Sequence, residues 1–180
     1  MSTPLESIAA GETPYVFFDL ETTGLTPKRD RIIEIAALRF DRASGQVEAF
    51  QTLVKPDRPI PAFVRAMTGL DDAAFAEALE PKEALDKFFA FVGDDPLVAY
   101  NIGFDNAFLV AEAERVGLAP PPTTVCAMRF AQSLVKDVPN HRLETVAKAL
   151  DCPRPRARRA MEDCLTGLIV FEKTLALAGA

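Results

Sequence analysis

Histidine is almost missing from this chain: His141 is the only one among 180 residues. That excludes any metal site built from several imidazoles. Cysteine is scarce too. Cys126, Cys152 and Cys164 are odd in number and hold no close pair, which rules out a disulfide framework or a zinc ribbon and fits a reducing cytoplasm. No apolar run approaches the length of a membrane span, so no membrane partner is expected. Met1 to Gly11 carries no basic region followed by an apolar core, the mark of a signal peptide. There is no internal repeat and no low-complexity segment. Positive charge is in deficit: the net charge is −6. General surface attraction therefore cannot hold nucleic acid, and any such ligand needs cations and a focused basic patch. What the chain does have is apolar substance. Hydrophobic residues make up 49%, enough at this length for one domain with a substantial core.

Read in order, Met1 to Pro14 is a loose lead-in. Tyr15 to Leu20 is apolar on both faces, as a central strand is, and Gly24 and Pro27 break it. Arg31 to Phe40 and Gln46 to Val54 read as strands joined by Asp41-Arg42-Ala43-Ser44-Gly45, a hairpin. Ala62 to Met67 is a short helix. Asp71 is placed to cap another, through Ala78. Lys82 to Val92 repeats Leu85, Phe88, Phe89 and Val92 at helical spacing. A short buried strand, Leu97 to Tyr100, turns through Asn101 into a helix that ends at Gly117. Pro120-Pro121-Pro122 connects to a last strand, Thr123 to Ala127. Helices near Met128–Val135, Leu143–Leu150 and Arg159–Leu177 complete the chain. A hairpin followed by strands alternating with helices indicates an α/β fold, a mixed five-stranded sheet flanked by helices.

Four carboxylates stand out. Asp19 and Glu21 are two apart on the first strand, so they share a face. Like charges that close raise each other's proton affinity unless a cation sits between them. A hard divalent ion with oxygen ligands, Mg²⁺ or Mn²⁺, satisfies that pair; simple solvation at a strand end satisfies it equally. Asp105 lies where a buried strand becomes a helix, the place where open α/β sheets hold ligands. It also reads as an ordinary acidic residue favoured by the helix dipole. Asp163 sits in the last helix among Met161, Leu165 and Leu168, either on the polar face or aimed at something, with Glu162 as its exposed neighbour.

In the order Asp-Glu, Asp, Asp, these residues resemble the DEDD exonucleases, in the branch of the DNA polymerase III epsilon subunit. The resemblance covers about Pro14 to Leu177. Phe18-Asp19-Leu20-Glu21-Thr22-Thr23-Gly24-Leu25 looks like the first motif, and Tyr100 to Leu109 like the second. Asn140 to Ala147 is similar to the stretch before the third, and Arg158-Arg159-Ala160-Met161-Glu162-Asp163 occupies the third itself. The resemblance implies a ribonuclease H-like fold, with a flexible lead over 1–13 and a single exonuclease domain over 14–180. It implies a two-metal 3′→5′ exonuclease that releases nucleoside 5′-monophosphates from single-stranded or mismatched DNA. Asp19 would bridge two divalent cations, Glu21 and Asp163 would complete one site, and Asp105 would hold the other. Thr22, Thr23, Gly24, Leu25, Asn101 and Phe104 would grip the 3′-terminal nucleotide. Met67-Thr68-Gly69-Leu70 resembles the segment that flanks its base, although Thr68 reads equally well as a turn residue.

The sequence departs from the family at one chemical position. Five residues before the last Asp, where the histidine branch has its general base, stands Arg158. Four before it, where the tyrosine branch has Tyr, stands Arg159. A guanidinium has no acceptor and stays protonated, so it cannot take a proton from water; it can orient or stabilise a phosphate. Loss of a general base costs about 10²–10⁴-fold. His141, just before a helix, reads as structural. A helix turns about 140° over five residues, so Arg158 reaches the side of Asp163 only from at or before the helix start. Arg154 to Arg159 carries four arginines in six residues; it reads as a basic patch or as a solvated, proline-stiffened loop. The rival readings are a catalytically weakened end-binding module and an exoribonuclease of the same family. The chain ends soon after its last helix without the tail that ties epsilon-like subunits to a DNA polymerase. A stand-alone enzyme, or one loosely associated with a polymerase, is the expectation.

Overall fold

The computed structural model describes residues 2–119, 123–153 and 158–179. Its frame is five strands: β1 (Tyr15–Thr22), β2 (Ile32–Asp41), β3 (Gln46–Leu53), β4 (Leu97–Ala99) and β5 (Thr124–Cys126). They lie in the order β3-β2-β1-β4-β5. The β1–β2 and β2–β3 pairs are antiparallel, whereas β4 runs parallel to β1 and β5 to β4. The mixed sheet expected from the hairpin-then-alternation order is the one found.

Helices cover both faces: α1 (Pro4–Ala10), α2 (Ala62–Thr68), α3 (Pro81–Val92), α4 (Ile102–Val116), α5 (Ala127–Leu134), α6 (Leu143–Ala149) and α7 (Ala160–Gly179). Alternation along β1 decides which helix meets which side chain. Tyr15 and Phe17 join Ala36 and Leu38 of β2 on one face, packed against Cys164, Leu168 and Phe171 of α7. Val16, Phe18 and Leu20 join Ile35 and Ala37 on the other, against Phe88 of α3 and Phe108 and Leu109 of α4. Each fully buried Phe contributes about 1.5–3 kcal/mol. The helix α7 lies directly on β1. A Cβ at Gly167 would stand 2.5 Å from the Phe17 ring, and the Cys164 thiol donates to the Phe17 carbonyl at 3.2 Å. None of the described helices is long and apolar enough to cross a membrane.

Two local expectations need correction. The lead-in contains α1. The Thr3 hydroxyl accepts from the Glu6 amide while the Glu6 carboxylate accepts from the Thr3 amide, Pro4 stands at the first helical position, and Gly11 closes the helix at φ 71°. These reciprocal bonds outweigh the shortness of the segment. Ile8 is fully buried, and the Arg42 guanidinium donates to the carbonyls of Ile8 and Ala9. The helix expected from Asp71 to Ala78 is only a 3₁₀ turn, Asp72–Phe75, capped by the Asp71 carboxylate at the Ala74 amide, 3.1 Å. It ends early because Leu79 bridges to Val54 at the end of the hairpin. The stretch Pro120–Pro122 and residues 154–157 of the arginine-rich segment lie outside the described residues.

Candidate active site

The C-terminal ends of β1 and β4 are adjacent and parallel, and the chain leaves them in different directions: β1 into the loop after Thr22, β4 into α4. Such a divergence opens a crevice at strand ends. A cavity of about 270 Å³ lies there. Asp19, Glu21, Asp105, Asp163 and Arg158 all line it.

Each carboxylate arrives by a different route. Asp19 and Glu21 project from the same face of β1 as Phe17, the α7 side. Asp163 comes from the first turn of α7 to meet them, and Asp105 comes from the first turn of α4, on the opposite side of the sheet. Asp19, Glu21 and Asp163 offer one oxygen each within 4.8 Å of one another. Oxygens around a cation of the Mg²⁺ type sit about 3–4.2 Å apart, from a metal–oxygen distance near 2.1 Å. Small side-chain rotations close that difference, so the donor set fits a hard divalent ion.

The electrostatics point the same way. Burial pushes the Glu21 carboxyl up to about 7, helped by the charges of Asp163 and Glu34 and opposed by Arg158 and Arg159. Burial, then the charges of Asp105, Asp163 and Glu21, holds Asp19 far above the ordinary carboxylate range. Asp105 is raised chiefly by burial, against hydrogen bonds from backbone amides. This much uncompensated acid is a local instability that a cation removes.

Arg158 precedes α7, as the helix geometry requires for it to reach the cavity. Its guanidinium donates to Glu144 of α6 at 3.1 Å and approaches the Met67 sulfur of α2 at 3.9 Å. Both of those residues also line the cavity. Arg159 is elsewhere: it forks onto Glu34 of β2, with Nη2 to Oε1 at 2.6 Å and Nε to Oε2 at 3.0 Å. His141 is not a lining residue. Its Nε2 is 2.8 Å from the Val135 carbonyl, and its own carbonyl accepts from Tyr100 at 2.9 Å, which is the structural role.

The expected nucleotide-gripping residues divide. Thr22, Gly24, Leu25, Asn101 and Phe104 line the cavity. Asn101 makes no capping bond with its side chain, and Leu25 is 81% exposed. Thr23 and Thr68 do not line it. The Thr23 hydroxyl accepts from the Arg31 amide at 3.0 Å. The Thr68 hydroxyl donates to the Val64 carbonyl and accepts from the Leu70 amide. Both are spent on holding loops. In place of Thr68, α2 presents Phe63 and Met67, one helical turn apart and 61% and 40% exposed. The reading of the sequence missed Phe63, whose only signal is that spacing. It also missed Glu34, which interrupts an otherwise apolar run, Ile32-Ile33-Glu34-Ile35, in a buried strand.

Residues 16–171 match the family model described as Exonuclease. The chain is 35% identical over 170 residues to the PolC-type DNA polymerase III of Caldanaerobacter subterraneus subsp. tengcongensis, covering 94% of this chain and 12% of that one. It is 34% identical over 187 residues to a putative bifunctional exonuclease/endonuclease protein of Mycobacterium tuberculosis, covering 98% and 29%. Among solved structures, a complex of exonuclease I described as ExoI/SSB-Ct superposes with a TM-score of 0.79 at 19% identity, covering 93% of this chain and 42% of that one. Escherichia coli exonuclease I in complex with a dT13 oligonucleotide superposes with a TM-score of 0.75 at 21% identity, covering 92% and 40%. The chain thus spans well under half the length of each of these proteins, and the structural likeness carries the fold. By family match and fold together, the chain belongs to the exonuclease family, in the DEDD group of the ribonuclease H-like superfamily.

Proposed function

We propose that this domain is a metal-dependent 3′→5′ exonuclease that removes nucleoside 5′-monophosphates from single-stranded or mismatched DNA ends. The observation that carries the reading is the convergence of Asp19, Glu21 and Asp163 within 4.8 Å, in a cavity that Asp105 also lines. In this reading Asp19, Glu21 and Asp163, with Asp105 beside them, would hold the divalent cations, Mg²⁺ or Mn²⁺. Ions bound there would ease deprotonation of water and neutralise charge building on the phosphate.

The chain's own residues do the rest. Leu25, Phe63 and Met67 give the cavity apolar walls for an unpaired terminal base, and base stacking on such walls is indifferent to sequence. Phe104 and Asn101 line the same cavity. Arg158 supplies the positive charge that a phosphate needs; it accepts no proton. Turnover therefore relies more heavily on the metal set than in relatives with a histidine there. DNA as the substrate class rests on the polymerase relatives, as does a DNA polymerase as a partner. The unpaired cysteines fit a cytoplasmic location. The domain runs from about residue 14, with α1 as an appended helix.

One observation favours a second reading. Arg158 at the base position suits a module that grips ends without cutting them. End-labelled single-stranded DNA with Mn²⁺ separates the two. Shortening from the 3′ end that disappears in Asp19→Ala supports the enzyme. Tight end binding with no laddering at high protein concentration refutes it, and faster shortening of an RNA strand in direct competition with DNA moves the substrate to RNA.

A further inference from the structure

Glu34 is a fully buried carboxylate near the start of β2. It is the cross-strand partner of Glu21, so the two share the α7 face of the sheet. A buried charge is tolerated only when its lone pairs are occupied, and those of Glu34 are. Arg159 donates through Nε and Nη2, the Gln51 amide group at 2.8 Å, and the Ala160 backbone amide at 3.3 Å.

The last of these matters most for the site. Ala160 is the first residue of α7, so its amide is one of the orphan donors of the helix start. Glu34 thus acts as an N-cap supplied by a different element. Three residues on is Asp163, whose own amide donates to the Arg159 carbonyl at 3.1 Å. The middle of α7 is held elsewhere, by Cys164 on the Phe17 carbonyl and Gly167 on the Phe17 ring. Glu34 and Arg159 tie the first turn to the sheet.

We infer that Glu34 and Arg159 form a positioning clamp which sets the first turn of α7 on β2, and so places the Asp163 carboxylate against Asp19 and Glu21 for metal binding. The inference rests on the proposed metal-dependent function. The fork geometry is what the clamp uses: two parallel N–H···O bonds fix direction as well as distance, which a lysine ammonium cannot do. Glu34 itself touches neither substrate nor metal.

The test is a Mn²⁺ titration of the DNA-free protein, by calorimetry and by electron paramagnetic resonance, beside thermal melting. Glu34→Gln and Arg159→Lys are each expected to weaken Mn²⁺ binding by about tenfold or more, the loss typical of groups that support metal ligands. At saturating Mn²⁺ the KM for single-stranded DNA stays at the wild-type value, because Leu25, Phe63 and Met67 are untouched. The double variant Glu34→Gln/Arg159→Met removes both charges of the pair, the buried carboxylate and the partly exposed guanidinium. It is expected to regain thermal stability but not Mn²⁺ affinity. Single variants that bind Mn²⁺ within about twofold of wild type would overturn the clamp against that expectation; so would a double variant in which affinity returns with stability. Arg159→Lys keeps the charge and is the fallback if Glu34→Gln does not fold. A wild-type protein that binds no Mn²⁺ refutes the metal-dependent reading itself, and the clamp with it.

Discussion

Metal-free protein should lose stability as the pH rises from about 5 to 8, and divalent metal should cancel that loss. Glu21 is raised from an ordinary 4.5 to about 7. A group whose folded pKa lies above its unfolded value contributes stability fully below the unfolded pKa and loses it as pH climbs through the folded one. For Glu21 that window is 4.5 to about 7. At about 1.4 kcal/mol per unit, ionising Glu21 in the metal-free fold costs about 3 kcal/mol. Asp19 and Asp105 are displaced in the same direction, so their contributions add to the slope. In a domain of this size about 3 kcal/mol corresponds to a fall in Tm of about 6–12 °C. The assay is thermal melting in chelator and in millimolar Mn²⁺ across that pH range. Glu21→Gln, which cannot ionise, should remove the Glu21 share and leave a shallower chelator slope from Asp19 and Asp105, which ties the pH dependence to this site. A chelator Tm that is flat or rises with pH in the wild type would refute the reasoning. So would a slope that Mn²⁺ leaves unchanged, or one that Glu21→Gln leaves undiminished.

Three further outcomes follow from the geometry. Arg158→His restores a proton acceptor at the cavity wall and should raise the single-turnover rate in Mg²⁺ by at least about tenfold, the low end of general-base contributions falling near 10²; an unchanged or lower rate in an end-labelled assay counts against the base argument. Phe63→Ala removes an exposed wall at about 1–3 kcal/mol per stacked base, so KM for single-stranded ends should rise by about tenfold with kcat little changed, and an unaltered KM would place the base elsewhere. Gly167→Ala puts a methyl group 2.5 Å from the Phe17 ring. Overpacking of that kind costs about 1–3 kcal/mol, which denaturant unfolding will show as a lower midpoint.

The apolar strands announced themselves because β1 is buried on both faces, and that alone makes it central. Asp19 and Glu21 were readable as neighbours because the strand period is local. Their meeting with Asp105 and Asp163 was not local. It depends on α4 and α7 approaching from opposite faces of the sheet, which only the motif order suggested. Thr68 shows the limit from the other side: its motif position was visible, but its hydroxyl is used up within one helical turn by Val64 and Leu70. The capping box of α1 is written at Thr3 and Glu6, and it forms a helix in a segment that otherwise reads as a loose lead-in. Glu34 is the most instructive residue. Its partner Arg159 is 125 positions away, so no spacing rule connects them. A charge inside an isoleucine run marks a buried ion that must be paired, yet the identity of the cation follows only from where α7 lands. The same landing explains the division of labour between the two arginines at the third motif. Arg159 is consumed by the fully buried Glu34 in holding the helix. Arg158 is instead paired with a half-exposed partner, Glu144, at the cavity wall, the kind of ion pair that in the proposed function exchanges most readily for a substrate phosphate.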